Sequence, residues 1–417
     1  MRRFIPLFVL IVMPLMLVGC VSMALPKVSA RTPQAAALPA LDGTSRVDWE
    51  AGRAALLQQF QDEVYGAWPE RDDVRLVEHE VIATDAYDGA GRIEQYTLEM
   101  GGLDTHLAVI LPNHVAGPVP SIILQTFCGN VPALGWREGI EGPTTPHAQS
   151  CEEGGFASFT VRQIFGRHIM TPPVEDILDH GYALVFHYPG DIVPDANGPA
   201  QTALAELSPD AQSGGVIAWA WAYSRVVDVL EADPRFDRDR MAVWGHSRNG
   251  KSALVAAAFD DRIDLVIAHQ AGTGGTTLTR SDDGESVAQI TDSYPYWFSP
   301  DYAAYAGREA DIPVDQHQLI ALMAPRPLLI GGAWRDQWSD PGGSFRAAQG
   351  ATPIYRLYGS QGLEQEALGA FQPDADLAVF MRRGLHGVNA VDWQNFLAFL
   401  DAHFTPGDAD QVSQPRP

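Results

Sequence analysis

Cysteine, positive charge and long apolar stretches are all scarce in this chain of 417 residues. The three cysteines, at positions 20, 128 and 151, permit one disulfide at most. Lysine and arginine together number 28 against 52 aspartates and glutamates, a formal net charge of -24. That excess argues against nucleic-acid binding, which needs a basic surface. The apolar run Phe4 to Val18 is short for a membrane span of roughly 20 residues. No histidine pair has metal-ligand spacing with a cysteine or carboxylate nearby. No glycine-rich loop leads into a helix with the lysine and hydroxyl of a phosphate-binding loop. The chain has no internal repeat, and neither a metal nor a cofactor is expected.

What is present suits one large globular domain or two smaller ones, with 46% hydrophobic and 19% charged residues. Arg2-Arg3 and the apolar run have the form of a targeting segment, with a retained signal anchor as the alternative. Leu17-Val18-Gly19-Cys20 resembles a bacterial lipobox, which implies a signal peptide over residues 1–20 and lipidation of Cys20. Ser22, rather than an aspartate, points by the same resemblance to the outer membrane. Residues 21–46, rich in Pro, Ala and Ser over Ala24 to Ala40, read as a flexible tether. The protein is thus expected in the cell envelope, as a monomer meeting the membrane only through its lipid. Cys128 and Cys151 remain in a compartment that permits disulfides, and they are expected to pair. Residues 47–405 form the single folded domain on this reading, and 406–417 a disordered tail.

Hydrophobic periodicity sets the fold class. Val47 to Tyr65 has one apolar side and reads as a helix. Val74 to Ala83 and Ile93 to Pro112 alternate, as antiparallel strands do. Pro120 to Phe127, Tyr182 to His187, Arg240 to Gly245, Leu265 to His269, Pro327 to Gly332 and Pro353 to Tyr358 read as buried strands. Helical patterns lie at Pro173 to His180, Gly215 to Ala232, Ser252 to Phe259 and Asp392 to Phe404. This alternation predicts an α/β fold with a mostly parallel central sheet between helices, a three-layer sandwich. The long irregular stretches Cys128 to Thr171 and Thr273 to Pro313 read as binding loops leaving the C-terminal ends of strands.

One motif organises the rest. Gly245-His-Ser247-Arg-Asn-Gly250-Lys251 stands between a buried strand and a buried helix. A serine at such a turn is lifted clear of the sheet, with helix amides aimed at it. Its second glycine comes three residues after the serine rather than two, so a plain structural turn is the alternative for the motif alone. A nucleophilic serine needs a base and an orienting carboxylate. Four histidines follow it. His269 reads as a core residue, His317 as part of a helix start and His403 as packing. His386 lies in a glycine-flanked loop before the last helix, where a hydrolase presents its base. Asp336, in the polar loop after Pro327 to Gly332, is the candidate acid; Asp340, before Pro341, reads as a turn residue.

These residues resemble the Gly-Cys-Ser-Arg-x-Gly-Lys signature of glucuronoyl esterases. Further blocks agree with bacterial members: Gly190-Asp191-x-x-Pro194-Asp195, Gly284-Glu285, Pro295-Tyr-Trp297-Phe298, Asp315-Gln-His317, Asp336-x-Trp338 and Arg383-Gly-x-His386. The resemblance covers about Gly181 to Phe404, and more loosely the chain from Val47. It implies an α/β-hydrolase fold and a serine esterase acting on esters of 4-O-methyl-glucuronic acid, as in lignin–xylan linkages. It implies Ser247 as nucleophile, His386 as base, Asp336 as its orienting acid and Arg248 in the oxyanion hole. Lys251, Glu285 and Trp338 would contact the sugar of a glucuronic acid ester or glucuronoxylan, and Trp297 would either line the same site or serve as packing. The chain departs from fungal members in having His246 before the nucleophile and Gly387 after the histidine, where those members have a cysteine pair. Ala271 also stands where fungal members carry an acid. The alternatives are an acetyl xylan esterase or general carboxylesterase on the same scaffold, or a lipoprotein that binds uronate glycan without cleaving it.

Overall fold

The structure, a computed structural model, describes residues 37–404 apart from 42, 44, 72, 146–161 and 282. Cys20, Cys151, the targeting segment, most of the tether and the C-terminal tail lie outside the described residues. At the end of the stretch read as a tether, the carbonyls of Pro39 and Ala40 accept hydrogen bonds from His317 and Gln318.

Nine strands form one sheet in the order β1-β2-β3-β5-β4-β6-β7-β8-β9. They are β1 (Val74–Ala86), β2 (Gly91–Met100), β3 (Leu103–Pro112), β4 (Val119–Gln125), β5 (Ala183–His187), β6 (Phe236–His246), β7 (Leu265–His269), β8 (Leu328–Ala333) and β9 (Leu377–Arg382). The first three pair antiparallel, and β3 runs antiparallel to β5. From β5 to β9 every pairing is parallel. In the parallel strands, successive side chains enter opposite cores. Ile123, Val185 and Val243 face one, while Ile122, Leu124, Leu184, Phe186 and Trp244 face the other. Burial on both faces is why these strands read as continuous apolar runs.

Helices cover each face. On one side lie α1 (Arg46–Phe60), α2 (Gly215–Ala232), α3 (Arg248–Phe259) and α4 (Pro341–Leu357), whose apolar residues share a core. On the other, α5 (Ala390–Phe404) packs Trp393, Phe396, Phe399 and Leu400. This is the α/β-hydrolase arrangement. The helix α2 is apolar almost all round because it is buried along most of its length. Two of its tryptophans keep their N–H groups satisfied, Trp219 on the Val193 carbonyl and Trp221 on that of Arg71.

One expected strand is not a strand. Pro353 to Tyr358 lies in and just beyond the last turns of α4, with Pro353 inside the helix. Ala347, Ala348, Ala351, Ile354 and Tyr355 are buried at three- and four-residue spacing, the helical period. The strand before the His386 loop is β9, Leu377–Arg382, all of it buried.

Candidate active site

The elbow is built by close approach. A Cβ on Gly245 would stand 1.9 Å from the Asn249 carbonyl oxygen, so only glycine fits there. Ser247 then takes φ +58°, ψ −123° at the N-terminus of α3. Its amide donates to the His269 carbonyl at 2.8 Å, which ties the turn to β7. Such a backbone costs roughly 1–3 kcal/mol for a residue other than glycine and clusters at functional sites. The Ser247 side chain makes no cap bond to the helix.

Asp336 and His386 leave the C-terminal ends of β8 and β9. Their side chains meet, with Nδ1 of His386 2.8 Å from Oδ2 of Asp336. Asp336 is buried, while His386 keeps a quarter of its side chain exposed. Burial alone would raise the Asp336 pKa, but the bond and charge of His386, with help from Ser339, hold it below the usual carboxylate range. The Ser339 hydroxyl lies 3.2 Å from the same imidazole nitrogen. Asp340 instead caps α4, accepting from the Gly343 amide at 2.8 Å, in agreement with the turn reading. His269 is fully buried, and its Nδ1 faces that of His246 at 3.1 Å. The His246 ring lies against His386, with centroids 4.5 Å apart. Burial lowers the pKa of both His246 and His269, which disfavours a charge on this inner pair.

Arg248 points away from the helix into a prepared cradle. Its Nη1 lies 3.0 Å from Oδ2 of Asp195, and its guanidinium carbon is 4.7 Å from the centre of the Phe127 ring. The other Asp195 oxygen accepts from the Tyr296 hydroxyl and from Nε1 of Trp297, each at 2.8 Å. Trp297 is therefore buried and engaged, and it stacks on Tyr294 at 3.8 Å. Asp195 went unrecognised beyond its place in a sequence block. The proline before it and the aromatic block near residue 296 are signals that could have raised it. Asp191, from the same block, instead accepts from the amides of Thr144 and Thr145 and anchors the start of the long loop.

Lys251 is one of two lysines in the chain, the other being Lys27. It is buried, and its ammonium donates to the carbonyls of Ala271 at 2.5 Å and Thr273 at 2.6 Å. Burial pulls its pKa down to about 8, against the opposing pull of Glu285 and Asp336. Burial likewise raises the Glu285 carboxyl, with Lys251 and His386 acting to lower it. The amide of Glu285 donates to the Trp338 carbonyl at 3.1 Å, and the Trp338 side chain is 53% exposed. Lys251, Glu285, His386 and Asp336 thus lie within one electrostatic neighbourhood.

Cys128 is disulfide-bonded, to a residue outside the described ones. At Gly387 the backbone has φ +147°, and a Cβ would stand 2.1 Å from the Phe165 carbonyl oxygen. The 162–165 turn fills that space, with the Val388 amide donating to the same carbonyl at 2.7 Å.

Comparisons with known proteins bear on the family of the chain. The family described as "Glucuronyl esterase, fungi" matches residues 179–359. A carbohydrate esterase, MZ0003, from an unknown prokaryotic organism is 33% identical over 382 residues, 87% of each chain. A 4-O-methyl-glucuronoyl methylesterase of Phanerochaete carnosa is 30% identical over 285 residues, 61% of this chain and 66% of its own. Among solved structures, a glucuronoyl esterase from Solibacter usitatus superposes with a TM-score of 0.76 at 30% identity, covering 90% of this chain and 100% of that one. The strained elbow, the shared sheet and these likenesses lead to one assignment: the chain belongs to the glucuronoyl esterase family, carboxylic ester hydrolases on the α/β-hydrolase fold.

Proposed function

We propose that this protein hydrolyses esters of glucuronic acid, its 4-O-methyl form included, as found where lignin is joined to xylan. The reading rests on one observation above others: a guanidinium beside the elbow serine, fixed by a carboxylate that three donors share. An ester carbonyl is neutral in the ground state and gains negative charge on attack. A fixed cation there favours the transition state over the substrate.

In this mechanism Ser247 Oγ attacks the C6 carbonyl carbon of the uronate. Nε2 of His386 accepts the serine proton, while Asp336 on Nδ1 holds the ring and stabilises the imidazolium. The oxyanion is met by Arg248 and the first amides of α3. The C6–O bond to the alcohol breaks, and His386 passes its proton to the leaving oxygen. Water, deprotonated by His386, then attacks the acyl-enzyme and releases glucuronate and Ser247. Glu285 and Lys251 bind sugar hydroxyls, Trp338 offers an apolar face, and Trp297 acts from beneath by holding Asp195. Lipidation at Cys20, with the catalytic domain tethered to the outer membrane, completes the proposal.

The direct test compares rates on benzyl glucuronate, a methyl galacturonate and nitrophenyl acetate. The glucuronate is expected to be turned over with the highest kcat/KM. A higher value on the acetate would turn the assignment to a general carboxylesterase.

Lys251 gives a pH signature. As an ammonium it has three N–H groups, two of them on carbonyls and one left for a sugar hydroxyl. Above pH 8 the folded protein releases that proton, because burial has lowered the pKa to about 8. The remaining two N–H groups stay on the carbonyls, so the sugar loses its donor. KM should rise roughly fivefold between pH 7 and pH 9, the worth of one hydrogen bond. Lys251→Met should have a high KM with no such rise; a flat profile in the wild type removes Lys251 from the sugar site.

A further inference from the structure

Gln270, directly after β7, is buried and holds a left-handed backbone with φ +50°. A residue with a side chain is strained there, and glycine is not. Two residues on, Gly272 takes φ +59° without that penalty. Something must offset the strain at 270.

The contacts of Gln270 point to what does. Its side-chain Oε1 accepts from the Gly387 amide at 2.7 Å, and Nε2 reaches the Leu385 carbonyl at 3.5 Å. Leu385 and Gly387 flank His386, so one amide group brackets the histidine from below. The Gln270 carbonyl accepts from the Ser339 hydroxyl at 3.3 Å, the same hydroxyl that lies beside Nδ1 of His386. The carbonyl of the preceding residue, His269, holds the Ser247 amide. One dipeptide therefore touches the backbone of the nucleophile, the loop of the histidine and the neighbour of the histidine–aspartate pair. Arg382 holds the same loop, donating through Nη2 to the carbonyls of Leu385 at 2.7 Å and Gly387 at 2.5 Å. Asp392 fixes that arginine through Nε at 2.7 Å.

We propose that Gln270 is a positioning residue that sets the approach of His386 to Ser247. Its left-handed backbone is kept because that conformation carries the side-chain amide to both sides of the histidine. Arg382 is the second part of the same clamp. This inference rests on the Ser247–His386–Asp336 reading.

The experiment uses the full chain with Gln270→Gly, Gln270→Met and His386→Ala, measuring kcat, KM on benzyl glucuronate and the thermal midpoint. Glycine relieves the backbone and deletes the clamp, while methionine keeps the shape and deletes only the polar contacts. Both are expected to lower kcat roughly 10- to 100-fold, as small displacements of reacting groups do, with KM within about twofold. The thermal midpoint of Gln270→Gly is expected to stay close to that of wild type, the relief of backbone strain offsetting the lost contacts. A wild-type kcat in Gln270→Gly, beside an inactive His386→Ala, overturns the clamp and leaves the triad standing. A loss of kcat matched by an equal loss of folded protein overturns it as well. An active His386→Ala overturns both.

Discussion

Alanine at position 247 is expected to lower kcat by roughly a million-fold, the scale on which serine hydrolases lose their nucleophile. The fold should not suffer, because the Ser247 side chain caps nothing in α3 and the strain lies in the backbone. Thermal midpoints of wild type and Ser247→Ala should agree, so the loss cannot be charged to unfolding. Ser247→Gly adds a second arm. It lacks the hydroxyl but adopts φ +58° freely, and should be more stable than either by about 1 kcal/mol. The readout is alcohol released from benzyl glucuronate per mole of folded protein. Equal turnover in Ser247→Ala would remove the acyl-enzyme route altogether. A wild type that retains glucuronoxylan yet releases no alcohol would instead fit a glycan-binding lipoprotein.

Arg248→Met is expected to lower kcat about 10²- to 10³-fold with little change in KM, the loss seen when one oxyanion donor is removed. The logic is charge timing. In the proposed mechanism the cation meets a neutral carbonyl before attack and an oxyanion during it, so its absence is expected in the barrier rather than in binding. Arg248→Lys should not restore the rate, since an ammonium cannot hold Asp195, face Phe127 and reach the oxyanion in one fixed plane. Asp195 keeps the Tyr296 and Trp297 donors in either variant, which protects the fold from an unpaired carboxylate. A tenfold rise in KM at unchanged kcat would instead assign Arg248 to ground-state binding.

How much could be read from the chain alone differs from element to element. The parallel strands were legible because burial on both faces leaves an unbroken apolar run, as at Ala183–His187. Gly215–Ala232 was legible for the same reason at helical length. Pro353 misled because proline ordinarily ends a helix, and the short run after it is almost wholly apolar, as in a buried strand; the buried alanines before it carry the period that decides. The elbow and the His386 loop announced themselves through local punctuation, glycines at fixed offsets between apolar runs. Asp336 is legible as a candidate acid because a polar loop follows an apolar strand there, and its carboxylate does meet His386. Asp195 and Gln270 were hidden because their roles exist only in three dimensions. Asp195 meets an arginine from α3 and aromatics from the loop near residue 296. Gln270 meets a loop that follows β9. Pro194 and the aromatic block near residue 296 are local signals for Asp195, but nothing beside Gln270 encodes its meeting with the His386 loop. Lys251 stands in the sequence as a sugar contact through the family resemblance alone, and nothing in its motif foretells the two carbonyls that hold it.

The crowding at Gly387 bears on how two branches of this family diverged. A crosslink like that of fungal members would need cysteines at 246 and 387, but any side chain at 387 collides with the Phe165 carbonyl. Two point changes therefore cannot convert one fastening into the other. The 162–165 turn, whose Phe165 carbonyl accepts from the Val388 amide, must first withdraw.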